Sequence, residues 1–221
     1  MVDWSQTPIE HKPPKKRLVL FSGGFDSVVL LERLMHLYPN ECLTLLFFKY
    51  GQPNLNQEWS IYQKYLQKGN NYGLDMSLHF LTNNDFFQGT PIPQKQYVEY
   101  RNLVFLSHAM NIAETMGIKE IYMGLNYVSP EENGFKDCDR NFIDRFNELI
   151  KPSGIRLIAP FAYVHKTSLI DVAREYNIEK GDFFSCNNPT AEGEPCGVCG
   201  DCKLIDEMYS YNPLGWLTKK T

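Results

Sequence analysis

Short apolar runs alternate along the chain with stretches of helical period. Leu18-Val19-Leu20-Phe21 is an unbroken apolar run that stops at a glycine pair, which predicts a buried strand. Over 26–37 the apolar positions Val28, Val29, Leu31, Leu34 and Met35 fall at helical spacing, and Pro39 ends the helix. The pattern predicts a strand over 42–48, a helix over 56–68 and a third strand over 76–81. Residues 101–116 carry a strong helical period, with Gly117 placed for a C-terminal cap. A fourth strand over 121–124, a helix over 139–150, a short strand near Leu157 and a helix over 167–176 follow. Residues 82–96 and 126–137 read as loops, 181–202 as irregular and 203–209 as a closing helical turn.

Alternation of strand and helix predicts an α/β fold: a doubly wound, mainly parallel sheet with helices on both faces. Ligands of such sheets bind beyond the carboxyl ends of the strands, where the strand order reverses. The expected organisation is a polar arm over 1–17, an α/β domain over 18–180 and a cysteine-rich segment over 181–221.

Composition narrows the classes. The chain has 221 residues and a formal net charge of −4. That balance argues against a general nucleic-acid or membrane-surface binder, both of which need a cationic face. No apolar run approaches the roughly 20 residues that span a bilayer, and residues 1–17 carry no signal-peptide core. A cytoplasmic location is expected. There the six cysteines stay reduced, so a cluster of them reads as metal binding or catalysis before disulfides.

Two motifs carry chemistry. In Ser22-Gly23-Gly24-Phe25-Asp26-Ser27 a strand runs through two glycines into a helix. The glycines permit a tight turn and close approach of backbone to phosphate. The serine hydroxyls and the helix N-terminus supply donors and a positive dipole end. The Walker A lysine pattern is absent, so the loop suits a pyrophosphate more than a γ-phosphate clamp. A plain strand–turn–helix fits the spacing equally well. The second motif is Cys186-x9-Cys196-x2-Cys199-x2-Cys202. Four thiolates close a tetrahedral zinc shell with no open position, which makes a structural site; an iron–sulfur cluster takes the same ligand set. Cys42 reads as a small core residue. The five histidines show no paired metal spacing.

Residues 22–27 resemble the SGGxDS signature of the PP-loop ATP pyrophosphatases. With the C-terminal cysteine motif, the chain resembles QueC, the 7-cyano-7-deazaguanine synthase family, over 18–209. Tyr50-Gly51-Gln52 with Glu58, Arg101-Asn102, Gly124-Leu125-Asn126, Asp137-Cys138, Lys166 and Ser185-Cys186 resemble further family segments. The resemblance implies an adenine nucleotide alpha hydrolase-like fold with a four-cysteine zinc subdomain. It implies ATP, Mg²⁺ and structural Zn²⁺, with 7-carboxy-7-deazaguanine as substrate. The carboxylate is adenylylated, ammonia displaces AMP to give an amide, and a second activation dehydrates the amide to a nitrile. ATP would bind at Phe21, Ser22, Gly23, Gly24, Asp26, Ser27, Gly51 and Gln52. Lys166, Arg101 and Asp26 would be catalytic, the first two neutralising phosphate charge and Asp26 facing Mg²⁺. Arg101, Asn102, Asn126 and Asp137 would bind the deazaguanine, and Cys186, Cys196, Cys199 and Cys202 the metal. The family also implies homodimers.

The chain departs from the family at three loops. Pro53-Asn54 follows Tyr50-Gly51-Gln52 where the family has Arg-His, and Glu99-Tyr100 precedes Arg101 where it has a proline. The segment before Asp137 is longer, and Asp139 replaces an arginine. Related QueC-like paralogues in anti-phage operons, of the type IV CBASS kind, suggest a second reading: conjugation of the activated deazaguanine to a protein amine. Residues 90–98 and 128–134 would then form the mouth. A third reading is a zinc-containing binding module without catalysis, using Tyr209, Tyr211 and Trp216.

Overall fold

The computed structural model describes residues 15–69, 71–77, 100–126 and 136–210. Five parallel strands, β1 (Arg17–Leu20), β2 (Leu43–Lys49), β3 (Asn71–Ser77), β4 (Glu120–Met123) and β5 (Arg156–Ile158), form one sheet in the order β3-β2-β1-β4-β5. The order reverses at β1, so the switch point lies between β1 and β4, and their carboxyl ends open the crevice. The helices are α1 (Phe25–Leu37), α2 (Leu55–Gln67), α3 (Arg101–Met116), α4 (Arg140–Ile150), α5 (Leu169–Glu175) and α6 (Gly200–Ser210).

Each central strand is apolar on both faces, as a sheet covered on both sides requires. Val19, Phe21, Leu45 and Phe47 face α1, α2, α5 and α6, while Leu18, Leu20, Leu46 and Phe48 face α3 and α4. Phe48 stacks on Phe105 of α3, with ring centroids 4.2 Å apart. Each such fully buried side chain contributes about 1.5–3 kcal/mol. α6 adds Ile205 and Met208 to the first of these cores.

Three elements differ from the sequence expectation. β3 begins at Asn71, five residues before the expected 76, and residues 78–81 lie outside those described. Its polar sequence disguises it because it is an edge strand that, among the described residues, pairs only with β2. Its glycine admits α2: a Cβ on Gly73 would lie 2.7 Å from the Tyr62 hydroxyl oxygen. α6 is three turns long, and it starts inside the cysteine motif, where irregular chain was expected. Residues 166–168 form a separate 3-10 turn before α5. The N-terminal arm as far as 14 and the loops 82–96 and 128–134 lie outside the described residues.

Candidate active site

The site grows from the loop after β1. The Phe21 side chain turns into the core against Tyr62 and Tyr65, so only its backbone borders the loop. Gly23 takes φ +78°, and a Cβ there would meet the Glu58 carbonyl oxygen at 2.9 Å. Both the conformation and the space require glycine. Ser27 Oγ donates to the Gly24 carbonyl at 2.9 Å and lies 3.2 Å from Ser22 Oγ, which is exposed. α1 has no cap from its own Gly24; its first amide, Phe25 N, donates instead to Ser185 Oγ at 2.9 Å. Phe184 N donates to the Gly23 carbonyl at 2.9 Å. The segment leading into the cysteine motif therefore braces the loop.

The loop after β4 closes on the same point. A Cβ on Gly124 would lie 2.9 Å from the Asp26 carbonyl oxygen and 3.2 Å from Ser27 N. Only a glycine lets the end of β4 approach the first turn of α1 this closely. Lys166 reaches in from the 3-10 turn before α5, whose start is capped by the His165 side chain. Its Nζ lies 3.2 Å from Asp26 Oδ2 and 3.2 Å from Asp201 Oδ1. Burial opposes the Lys166 charge, but the two carboxylates outweigh it and hold the ammonium above its usual range. Burial raises the Asp26 carboxyl above its usual range, against the pull of Lys166.

Beyond β2, the Gln52 amide ties the loop to itself. It donates to the Phe48 carbonyl and to Glu58, and it accepts from Tyr50 N. Asn54 also donates to Glu58, and burial pushes that carboxyl up to about 7. Gly51 takes φ +82° in this turn. Arg101 opens α3 and donates to the Tyr50 hydroxyl at 2.9 Å. Asn102 N donates to Asp137 Oδ2 at 2.8 Å, and its side chain donates to the Asp137 carbonyl. Asp137 is thus buried as an anchor for the start of α3, with its Oδ1 still uncommitted to nitrogen or oxygen donors among the described residues. Burial pushes the adjacent Cys138 thiol up to about 12, which keeps it from acting as a thiolate at neutral pH.

Three buried polar atoms here lack a hydrogen-bond partner among the described residues: Asp26 Oδ1, Arg101 Nε and Asn126 Nδ2. Asp26 follows β1, Asn126 follows β4, and Arg101 of α3 reaches the Tyr50 hydroxyl just past β2. Unsatisfied buried groups converging on one crevice suit a polar ligand that supplies their partners.

Cys186, Cys196, Cys199 and Cys202 bring their sulfurs within 4.8 Å of one another. Backbone amides of Asn188 and Cys196 point at Cys186 Sγ, and those of Cys199 and Cys202 at the preceding cysteine sulfurs. Amides of Val198 and Cys199 lower the Cys196 thiol to about 6. This donor set fits a single tetrahedral ion: Zn–S bonds of about 2.3 Å need such close sulfurs. A cluster with an iron at every corner needs them further apart.

The sequence-derived residues therefore gather in two groups. Ser22, Gly23, Gly24, Asp26, Ser27, Asn126 and Lys166 surround the switch point, and Arg101, Asn102, Asp137, Gly51 and Gln52 build its flank. Asp201 escaped sequence reasoning, as did the roles of Ser185 as a cap on α1 and of the Tyr50 hydroxyl, although both residues stand in segments that resemble the family. Nothing in the spacing of Asp201 marks it, since it reads as an exposed residue between two metal ligands. A cavity of about 420 Å³ between α2, α6 and the cysteine-rich segment shares Ser185 and Asp201 with this site.

The family model described as queuosine biosynthesis protein QueC matches residues 16–212. The 7-cyano-7-deazaguanine synthase of Chlorobium phaeovibrioides is 31% identical over 214 residues, covering 85% of this chain and 88% of that protein. The enzyme of the same name from Syntrophotalea carbinolica is 28% identical, covering 86% and 90%. Among solved structures, the U34-tRNA thiolase NcsA from Methanococcus maripaludis, with its 4Fe-4S cluster, superposes with a TM-score of 0.52 at 15% identity. The match covers 82% of this chain and 63% of that one and is a likeness of fold.

Proposed function

The chain belongs to the QueC family, and from that premise we propose that it adenylylates the carboxylate of 7-carboxy-7-deazaguanine and couples it to ammonia, giving 7-cyano-7-deazaguanine. The observation that carries this reading is the set of unpartnered buried atoms on Asp26, Arg101 and Asn126 around an intact PP-loop. Amides of the loop and the α1 N-terminus cradle the phosphates. Asp26 faces the magnesium that accompanies ATP, since that ion prefers carboxylate and phosphate oxygen. Lys166 and Arg101 meet the charge that develops as pyrophosphate leaves. Asn126 and the remaining oxygen of Asp137 bind polar edges of the base.

In the first half-reaction a substrate carboxylate oxygen attacks the α-phosphorus and pyrophosphate departs. Ammonia then attacks the acyl carbon, and AMP leaves with that oxygen. A second ATP activates the amide oxygen in the same way, and loss of AMP and a proton leaves the nitrile. Cys186, Cys196, Cys199 and Cys202 would hold a Zn²⁺ ion as a closed structural site, and it would supply no chemistry beyond holding its loop. Substrate labelled with ¹⁸O in both carboxylate oxygens tests the scheme: each AMP formed carries one label. Labelled phosphate or unlabelled AMP contradicts it.

Conjugation to a protein amine uses the same first half-reaction. Its distinguishing loops lie outside the described residues, and the acceptor is decided by the product.

A further inference from the structure

The cysteine site and the PP-loop meet at one side chain. Asp201 sits between Cys199 and Cys202 on the first turn of α6. Its Oδ1 lies 3.2 Å from Lys166 Nζ, and its Oδ2 accepts from Asn187 Nδ2 at 2.5 Å. Lys166 is therefore held by two carboxylates on different elements, Asp26 on α1 and Asp201 on α6.

The two partners fare differently when a nucleotide arrives. Asp26 stands at the loop, with Oδ1 unpartnered among the described residues. A carboxylate that accepts a divalent cation loses much of its attraction for a neighbouring ammonium, because the cation's field repels it. Asp201 stands on a different element, α6, and the cysteine loops fix its backbone. An exposed lysine pair between free side chains positions little. Here the Lys166 side chain is only 17% exposed and Asp201 32%, so the ammonium has few other places to go.

We propose that Asp201 is a positioning residue that tethers Lys166 Nζ at the PP-loop while Asp26 is engaged by the magnesium of the bound nucleotide. It rests on the ATP-activating reading above and deepens it. The cysteine site then serves catalysis through geometry: it fixes the residue that fixes the lysine.

The test uses the full-length, metal-loaded protein and the variants Asp201→Ala, Asp201→Asn and Asp201→Glu. Asp206→Asn, on the same helix as Asp201 and with its carboxylate paired to Lys180 of a separate turn, is the control. Two quantities are read beside metal content. One is the rate at which an amine-reactive acylating reagent labels Lys166 without nucleotide, followed by peptide mass spectrometry. The other is the kcat and KM for pyrophosphate release with 7-carboxy-7-deazaguanine. With metal retained, Asp201→Ala and Asp201→Asn label Lys166 several-fold faster, and kcat falls roughly 10–100-fold while the KM for the deazaguanine stays near wild type. Asp201→Glu recovers part of the loss, and Asp206→Asn matches wild type in both readouts. Metal-loaded Asp201→Ala or Asp201→Asn with wild-type labelling and kcat overturns the inference. A wild-type protein that releases no pyrophosphate contradicts the functional reading alone, and the labelling contrast still decides whether Asp201 tethers Lys166.

Discussion

Gly124 carries no side chain, and the position of Asp26 depends on it. A methyl group there would press on the Asp26 carbonyl carbon at 3.0 Å and its oxygen at 2.9 Å. Backbone atoms cannot swing aside as a flexible side chain can. Gly124→Ala is expected to displace the first turn of α1 and to lower pyrophosphate release by on the order of 100-fold. It also costs about 1–3 kcal/mol of stability, read as kcat and thermal midpoint of one purified variant. Glu58 gives a second prediction at this scale. Burial raises its carboxyl from 4.5 to about 7, so the folded chain holds a proton that the unfolded chain releases within that window. Stability from this group is full below pH 4.5 and is lost as pH rises through about 7. The loss is on the order of 3 kcal/mol. Glu58→Gln removes the dependence, so the wild-type midpoint should gain on the variant's between pH 8 and pH 5 (approximate limits of the scan). A constant difference would contradict the burial argument. Single residues were legible where chemistry repeats in a motif, as with Ser22, Asp26 and the four cysteines. Asp201 was not legible and Ser185 was legible only as part of a family-like segment, because each acts through a partner far away in sequence.

At the level of elements, the buried strands β1, β2 and β4 could be read from their apolar runs because helices cover both faces. The start of β3 could not, since an edge strand needs only one neighbour and tolerates Asn71, Asp75 and Ser77. α6 was read short for a related reason. Its first turn is set by the need to bring Cys202 to the other three sulfurs, and no local periodicity records that demand. The cysteine-rich segment and the N-terminus of α1 are joined through Phe184 N to the Gly23 carbonyl and Phe25 N to Ser185 Oγ. Removing the metal with a strong chelator, or Cys199→Ser, should therefore loosen both. Amide hydrogen exchange is expected to quicken over 181–202 and also over 23–25. Faster exchange confined to the cysteine segment would contradict the brace.

Across the whole molecule, the strand order brings Asp26 on α1, Arg101 at the start of α3 and Asn126 after β4, each with an unsatisfied polar atom, to one crevice, and that placement follows from the βαβ alternation visible in the sequence. Two apolar cores clamp the sheet, so the crevice stands on a rigid base while its polar groups wait for partners. No helix among the described residues is long and apolar enough to cross a membrane. The departures from the family pattern lie mainly on loops rather than on this base, which leaves activation of the carboxylate as the central claim and the acceptor as its variable end. The most direct measurement incubates the purified protein with 7-carboxy-7-deazaguanine, Mg-ATP and ammonium and reads all products by mass spectrometry. The account predicts 7-cyano-7-deazaguanine together with AMP and pyrophosphate. Unconsumed ATP and unchanged 7-carboxy-7-deazaguanine from a folded, metal-loaded protein would contradict it.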